Sequence, residues 1–365
     1  MTASAIREVT QADLPDIVRL ATLCGFPART TEGWRWVLFG NPQQGAIAPG
    51  WVHEGPDSIT GFLGNFVNRY RCGPAQHLVA TGHTVVTDRS VKGQQAGIRL
   101  IRHGVAQPHV DAFVTLNNNA LSAPLLPRVG ARPWLGHQGR EWVEWILRPS
   151  RVLRALLPAA GPAERFDCHP GFSFAVEARR GGITFATLES VCDDELEAIT
   201  PEGVPVRQID VASLRYRLAD PDRRAGSSYV VARMGGRALA LASILLTKPS
   251  PERLDHAEIA DWVASPCAGG VKAQKALLRH LAVIARRAGA SRLRLHFPSI
   301  VPAGVLQAAG PHLRRRHRHD PCHALVRNDV LASWQPGPGD ADYFFAFRIP
   351  PALFAARSGA HDRVG

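Results

Sequence analysis

One segment of the 365-residue chain gathers the residue types that bind phosphate: HTVVTDRSVKGQQAGIRLIRHGV, residues 83–105. A strand pattern runs straight into a loop in which Gly93 and Gly97 flank Gln94, Gln95 and Ala96, and a helix pattern follows at once. Glycine at such a point lets the backbone turn tightly and approach a ligand. The exposed N–H groups at the head of a helix, aided by its dipole, form an anion site. Lys92 and Arg89 add positive charge. Physics alone leaves two readings, a diphosphate cradle or a left-handed turn before a helix. The densest charge lies in LRRRHRHD, residues 313–320. It reads either as a contact to phosphates of a nucleic acid or as a strand edge protected by charge. His317, His319, Cys322 and His323 invite a metal reading, but their spacing fits no ordinary zinc motif and no metal is expected.

These residues must be held by a chain long enough for two domains, each with its own core. It is 45% hydrophobic and 20% charged, a globular composition. Of the 43 basic residues only Lys92, Lys248, Lys272 and Lys275 are lysine, and the net charge of +12 would attract an anionic partner such as RNA, a nucleotide or acidic lipid. The six cysteines are scattered without a CxxC pair, so they read as reduced thiols rather than a disulfide framework. No apolar run approaches a bilayer span, and the start, MTASAIREVT, lacks a signal pattern. A soluble cytoplasmic protein is expected.

The chain repeats itself with a period of 180. Arg35, Trp36 and Leu38 match Arg215, Tyr216 and Leu218; Asp13 matches Asp193, and Gly130 matches Gly310. Collinear matches from the start of one half to near its end argue for duplication. The first half reads as a strand (6–9), a helix (13–24) with apolar residues at helical spacing, and a second helix ending at Asn41-Pro42. Strands follow at 51–53, 59–67 and 77–87, then a loop, a helix (96–106), a strand (110–116), a helix (120–129) and a strand (141–147). The second half repeats this order from Ile183, through a hairpin at Met234-Gly235-Gly236-Arg237, to a helix at 275–288. The expected organisation is 1–149, a Pro- and Arg-rich linker at 150–165, a second unit at 166–350, and a tail at 351–365.

The strand, loop and helix, followed by FVTLNNNALSAPLLPRVGARP, resemble the core of the GNAT superfamily of N-acetyltransferases. Lys92-Gly93-Gln94-Gln95-Ala96-Gly97 takes the place of the family's Arg/Gln-x-x-Gly-x-Gly/Ala loop, with Lys for the first residue and Gln95 where the first glycine stands. Asn119 and Ser122 resemble the Asn-x-x-Ser after the fifth strand. In the second half, Pro266 to Lys272 resembles a degenerate loop, and Gly339-Asp340-Ala341-Asp342-Tyr343-Phe344-Phe345 is similar to a closing strand of tandem GNAT proteins. The resemblance implies an α/β (α+β) fold of two tandem domains, each a mixed, mostly antiparallel sheet flanked by helices.

It also implies acyl transfer from acetyl-CoA or another acyl-CoA to an amine. A backbone N–H of the fourth strand, which includes Val85 and Val86, would polarise the thioester carbonyl, and the loop N–H groups would hold the diphosphate. His83, and Asp261 on the equivalent strand of the second copy, are the candidate bases. No tyrosine lies between Asn119 and Gly130, so protonation of the departing thiolate falls to Asn119 or water. The second copy is expected to bind the donor poorly and to supply half of the acceptor cleft. Two other readings stand beside this one. Fem-type transferases use paired GNAT-like domains with aminoacyl-tRNA, which Arg314, Arg315, Arg316 and Arg318 would contact. A non-catalytic binding protein built from two decayed copies is the other.

Overall fold

Backbone pairing alternates along the chain with helices that bury one face, and the result is two sheets between which the halves exchange strands. The structure is a computed structural model describing residues 5–88, 91–134, 138–155, 173–223, 225–247 and 255–349, with the backbone alone for 91–95. In the first half β1 (Ile6–Glu8) leads through a turn in which Asp13 accepts from the Thr10 N–H at 2.8 Å, into α1 (Leu14–Leu23). α2 (Thr31–Phe39) is capped by the Thr30 hydroxyl, which accepts from the Gly33 N–H. β2 (Gly50–Glu54), β3 (Ile59–Cys72) and β4 (Ala75–Thr87) form an antiparallel meander. α3 (Val91–Val105) crosses back to β5 (Ala112–Thr115), which lies parallel to β4. β6 (Arg132–Pro133), β7 (Glu141–Ile146) and α4 (Pro149–Ala155) complete this half.

The second half contains β8 (Ala178–Arg180), β9 (Ile183–Ala186), α5 (Asp193–Ile199), β10 (Val206–Arg207) and α6 (Val211–Leu218). The hairpin of β11 (Ser227–Met234) and β12 (Arg237–Thr247) turns at Gly235 and Gly236, whose φ angles of 59° and 82° suit a two-residue connection of this kind. β13 (His256–Ala264), α7 (Ala268–Arg287) and β14 (Arg292–His296) form the second parallel crossover. α8 (Ala303–Leu306), β15 (Leu313–Arg316), β16 (His323–Val326) and α9 (Tyr343–Ala346) follow. α7 buries Leu277, Leu278, Leu281 and Ile284 against its sheet, the spacing of a one-faced helix. No helix among the described residues is long and apolar enough to cross a membrane.

Among the described residues each sheet has eight strands. One runs β1-β2-β3-β4-β5-β16-β6 with β10 pairing on β3, and the other β15-β7-β14-β13-β12-β11-β9-β8. The halves therefore exchange a strand. β7 pairs with β14 of the other half, and β16 pairs with β5. Both sheets are mixed and mostly antiparallel, with helices packed on them, as expected.

Three local expectations are corrected. The helix expected from 96 begins at Val91, so Lys92 to Gly97 lie in its first turns rather than in a loop. The helix expected at 120–129 is a 3-10 helix, Ala123–Val129, with Pro127 inside it. The expected closing strand at 339–345 is a 3-10 turn, Pro338–Asp340, followed by α9, because its groups bond to Tyr70 and to their own turn instead of to a ladder.

The exchange carries a prediction. Fragment 1–149 alone lacks β16 beside β5 and leaves its own β7 without β14, so it should show no cooperative thermal unfolding. Co-expression with 150–365 should restore one transition. A dispersed amide spectrum from 1–149 alone would refute this.

Candidate active site

The parallel pairing of β4 with β5 ends at Thr81 and Val114. Beyond it the strands part and a cleft of about 250 Å³ opens. Its walls are Thr81 to Val85 on β4, Thr115 to Asn119 at the end of β5 and beyond, Phe26, Arg29 and Trp34 from the start of the chain, and Asp342 with Phe345 to Arg348 from the other half. The bend in β4 has a visible cause. Phe62 faces Val86 and Gly64 faces His83, so Leu63 alone opposes both Thr84 and Val85. This is a β-bulge, which leaves an extra residue unpaired in the ladder. Thr84 sits there at φ 50°, a strained conformation for a β-branched residue.

His83 lies buried in the cleft wall with its Nδ1 3.1 Å from the Thr84 hydroxyl and its ring 4.9 Å from that of Phe345. Gly64 makes room for it, since a Cβ there would stand 2.1 Å from the imidazole. Burial, then the nearby Arg29 guanidinium, pushes the imidazole down to about 3, so it is neutral at physiological pH. Asp342 enters from the far side, its carboxylate accepting from Asn117 Nδ2 at 3.2 Å. Burial pushes this carboxyl up to about 6. Among the described residues four buried polar atoms of cleft residues have no hydrogen-bond partner: Trp34 Nε1, Thr81 Oγ1, His83 Nε2 and Arg348 Nη1. Buried polar groups are ordinarily paired, so these residues hold more unmet hydrogen-bonding capacity than a protein core usually does.

The sequence-predicted residues divide. His83, Val85 and Asn119 line the cleft. Asn119 Oδ1 accepts from the N–H groups of Leu121 and Ser122, both at 2.9 Å, so that oxygen is committed to the turn. Val86 faces the apolar core beside Trp34 and Phe62. Ala96 is buried where α3 crosses β3, and a Cβ on Gly97 would meet Thr87 Cγ2 at 3.2 Å. The side chains of Lys92, Gly93, Gln94 and Gln95, and the whole of Arg89, fall outside the described residues. Arg314 and Arg316 pair with Glu141 along the exposed edge strand β15, while Arg315 and Arg318 are exposed. Among the described residues no cluster of three or more His, Cys, Asp or Glu is placed to hold a metal ion.

Asp261 is not brought to the cleft. It occupies the position of His83 in the second copy, two residues past the last parallel pair, Ile259 with Leu295. There the space between the strands is filled by the chain itself. Asp261 pairs with Arg207 at 2.5 Å and accepts from the Tyr229 hydroxyl at 3.1 Å. The Pro338–Asp340 turn closes over it, and a Cβ on Gly339 would stand 2.0 Å from its carboxylate. Asp342, Arg348 and Arg29 were missed as site residues. Asp342 lay within a segment read as a strand, and no local spacing ties residue 348 to a strand more than 250 positions earlier.

No family model matches the sequence, and no curated protein matches it in sequence. The likeness is in the fold. The chain superposes on a probable N-acyltransferase of unknown function from Enterococcus faecalis V583 with a TM-score of 0.53 at 11% identity, over 91% of this chain and 74% of that one. A GCN5-related N-acetyltransferase from Anabaena variabilis gives 0.52 at 10%, over 90% and 74%. This is the tandem GNAT fold. Saccharomyces cerevisiae N-myristoyltransferase, solved with bound myristoyl-CoA and inhibitors, gives 0.50 at 10%, over 88% and 82%. In GNAT terms the open cleft belongs to the first copy, and the second copy is plugged.

If Asp261 is structural, Asp261→Ala should destabilise the protein by about 3–5 kcal/mol, because buried Arg207 and Arg217 lose the carboxylate they share and Arg207 keeps only Asp340, 3.5 Å away. Chemical denaturation measures this, and a variant as stable as the parent would contradict the assignment.

Proposed function

We propose that this protein moves an acyl group from an acyl-CoA to the amine of a small acceptor held in the cleft between β4 and β5. The observation that carries the reading is the bulge at Thr84 and Val85, facing a carboxyl group with a raised pKa, in a wall of unpaired polar atoms. When bound, acyl-CoA supplies a thioester carbonyl to which an amine adds and from which the thiol departs.

The chain's residues suit each requirement. A backbone N–H left out of the ladder at the bulge would donate to the thioester carbonyl oxygen, a stabilisation that is strong in a site shielded from water. Asp342, ionised above pH 6, accepts the proton of the attacking amine. His83 is neutral at physiological pH and carries a single ring N–H, so its imidazole orients a group in the cleft rather than storing charge. Leu63, Val85, Ile101 and Leu126 offer the apolar wall that an acyl and pantetheine chain needs. The diphosphate falls to the N-terminal turns of α3, with Lys92, Gly93, Gln94, Gln95, Ala96 and Gly97 along them. Among the described residues no tyrosine lines the cleft, so water protonates the departing thiolate.

Two measurements test this. Free CoA, titrated by calorimetry at near-physiological salt into protein cleared of nucleic acid, should bind saturably, and Gly97→Trp should abolish binding. The absence of binding to the parent protein would refute the reading. In thiol-release assays kcat/KM should fall as pH drops through about 6, because protonation removes the Asp342 base. Asp342→Asn should flatten that limb and lower kcat by roughly 10²–10⁴-fold, the usual worth of a general base.

A further inference from the structure

The cleft also carries a guanidinium, Arg348, with no carboxylate within ion-pair distance among the described residues. Arg29, Arg223 and Arg348 gather where the loop before α2, the turn after α6 and the end of α9 meet, and the carboxylates beside them are Asp220 and Asp222. Arg29 donates to the two Asp220 oxygens at 2.8 and 3.0 Å and lies 3.5 Å from Asp222. Asp222 is engaged further by the Thr30 N–H and hydroxyl. Arg223 donates to the carbonyls of Arg217 and Phe344 and to the Ser227 hydroxyl. Arg348 gives Nη2 to the Pro27 carbonyl at 2.7 Å, but Nη1 has no partner among the described residues although Arg348 is only 5% exposed.

Three guanidinium groups thus face two carboxylates among the described residues. Burial and the neighbouring Arg29 lower Arg348 to about 10, which leaves it protonated at neutral pH. A buried charge of this kind is tolerated when something pairs with it. The planar guanidinium fork matches a carboxylate. Asp342 stands in the same cleft, a negative group suited to an ammonium, and Phe26, Trp34 and Phe345 give it an apolar wall.

We infer that the acceptor bears a carboxylate as well as its amine, being an amino acid or a compound built like one, with the carboxylate on Arg348 and the amine toward Asp342. The amine half of this assignment rests on the acyltransferase reading above, whereas the carboxylate subsite stands on the charge and hydrogen-bond geometry of Arg348. The aromatic lining favours an apolar side chain on that acceptor.

The test uses product-like probes that cannot react. N-acetyl derivatives of phenylalanine, leucine and glycine, each beside its carboxamide counterpart, are titrated into the full-length protein by calorimetry. At least one carboxylate should bind tenfold or more tighter than its amide. Arg348→Gln should erase that preference, and Arg348→Lys, which keeps the charge but loses the fork, should retain part of it; cooperative unfolding of both variants shows that they fold. Equal binding of acid and amide, no binding of any acid, or a preference that survives in Arg348→Gln overturns the inference. The CoA titration separates the two readings. A carboxylate preference without CoA binding leaves the subsite standing and removes the acyltransferase reading, while CoA binding without the preference does the reverse.

Discussion

Trp36 and Tyr216, equivalent residues of the repeat, hold each other across the join between its two copies. The Trp36 indole N–H donates to the Tyr216 carbonyl at 3.1 Å, and the Tyr216 hydroxyl donates to the Trp36 carbonyl at 3.2 Å. Their rings lie 4.9 Å apart, and Phe66 and Phe344 pack around them. Each copy thereby satisfies the other's buried polar groups, the self-complementary pattern of a twofold contact within one chain. With α2 and α6 locked in this way, α9 is wedged against the first sheet. That wedge brings residues 342–348 to a cleft whose other wall is built from the first half of the chain.

The strand exchange makes the same point through the backbone. β5 and β14 occupy equivalent places, and each is covered on its outer side by a strand from the opposite copy. Neither half closes its sheet alone, so the geometry of the cleft is a property of the whole chain. Because β4 and β5 are parallel only as far as Thr81 and Val114, the opening lies just where the partner copy can reach it.

Duplication supplied two openings, and electrostatics separated their fates. In the first, His83 is neutral and, among the described residues, unpaired at Nε2, and a cleft opens beside it. In the second, Asp261 draws Arg207 onto itself, Tyr70 donates to Asp340 at 2.6 Å, and Arg217 donates to the Gly339 carbonyl at 2.6 Å. These bonds fix the plugging turn. Removing one member of a buried ion pair is costly, so the second opening is held closed while the first stays open.

What the sequence determined by itself was local or periodic. The period of 180, the order of strands and helices in the first half up to β5, the Gly235-Gly236 hairpin and the strand carrying His83 and Val85 were legible, since each depends on neighbours a few residues apart or on a repeat that can be counted. The start of α3 was misjudged because glycines that suit a loop also fit the crowded first turns of a helix. Which sheet β7 and β16 join was decided by the tertiary structure, because an alternating strand looks the same whichever edge it meets. The same holds for Asp261, whose role was settled by Arg207 arriving from 54 residues away. Asp342 and Arg348 became part of the site only when α9 packed across the join. A carboxyl whose pKa is raised by burial, and three guanidinium groups set against two carboxylates, are properties of burial and neighbours, which no spacing along the chain records.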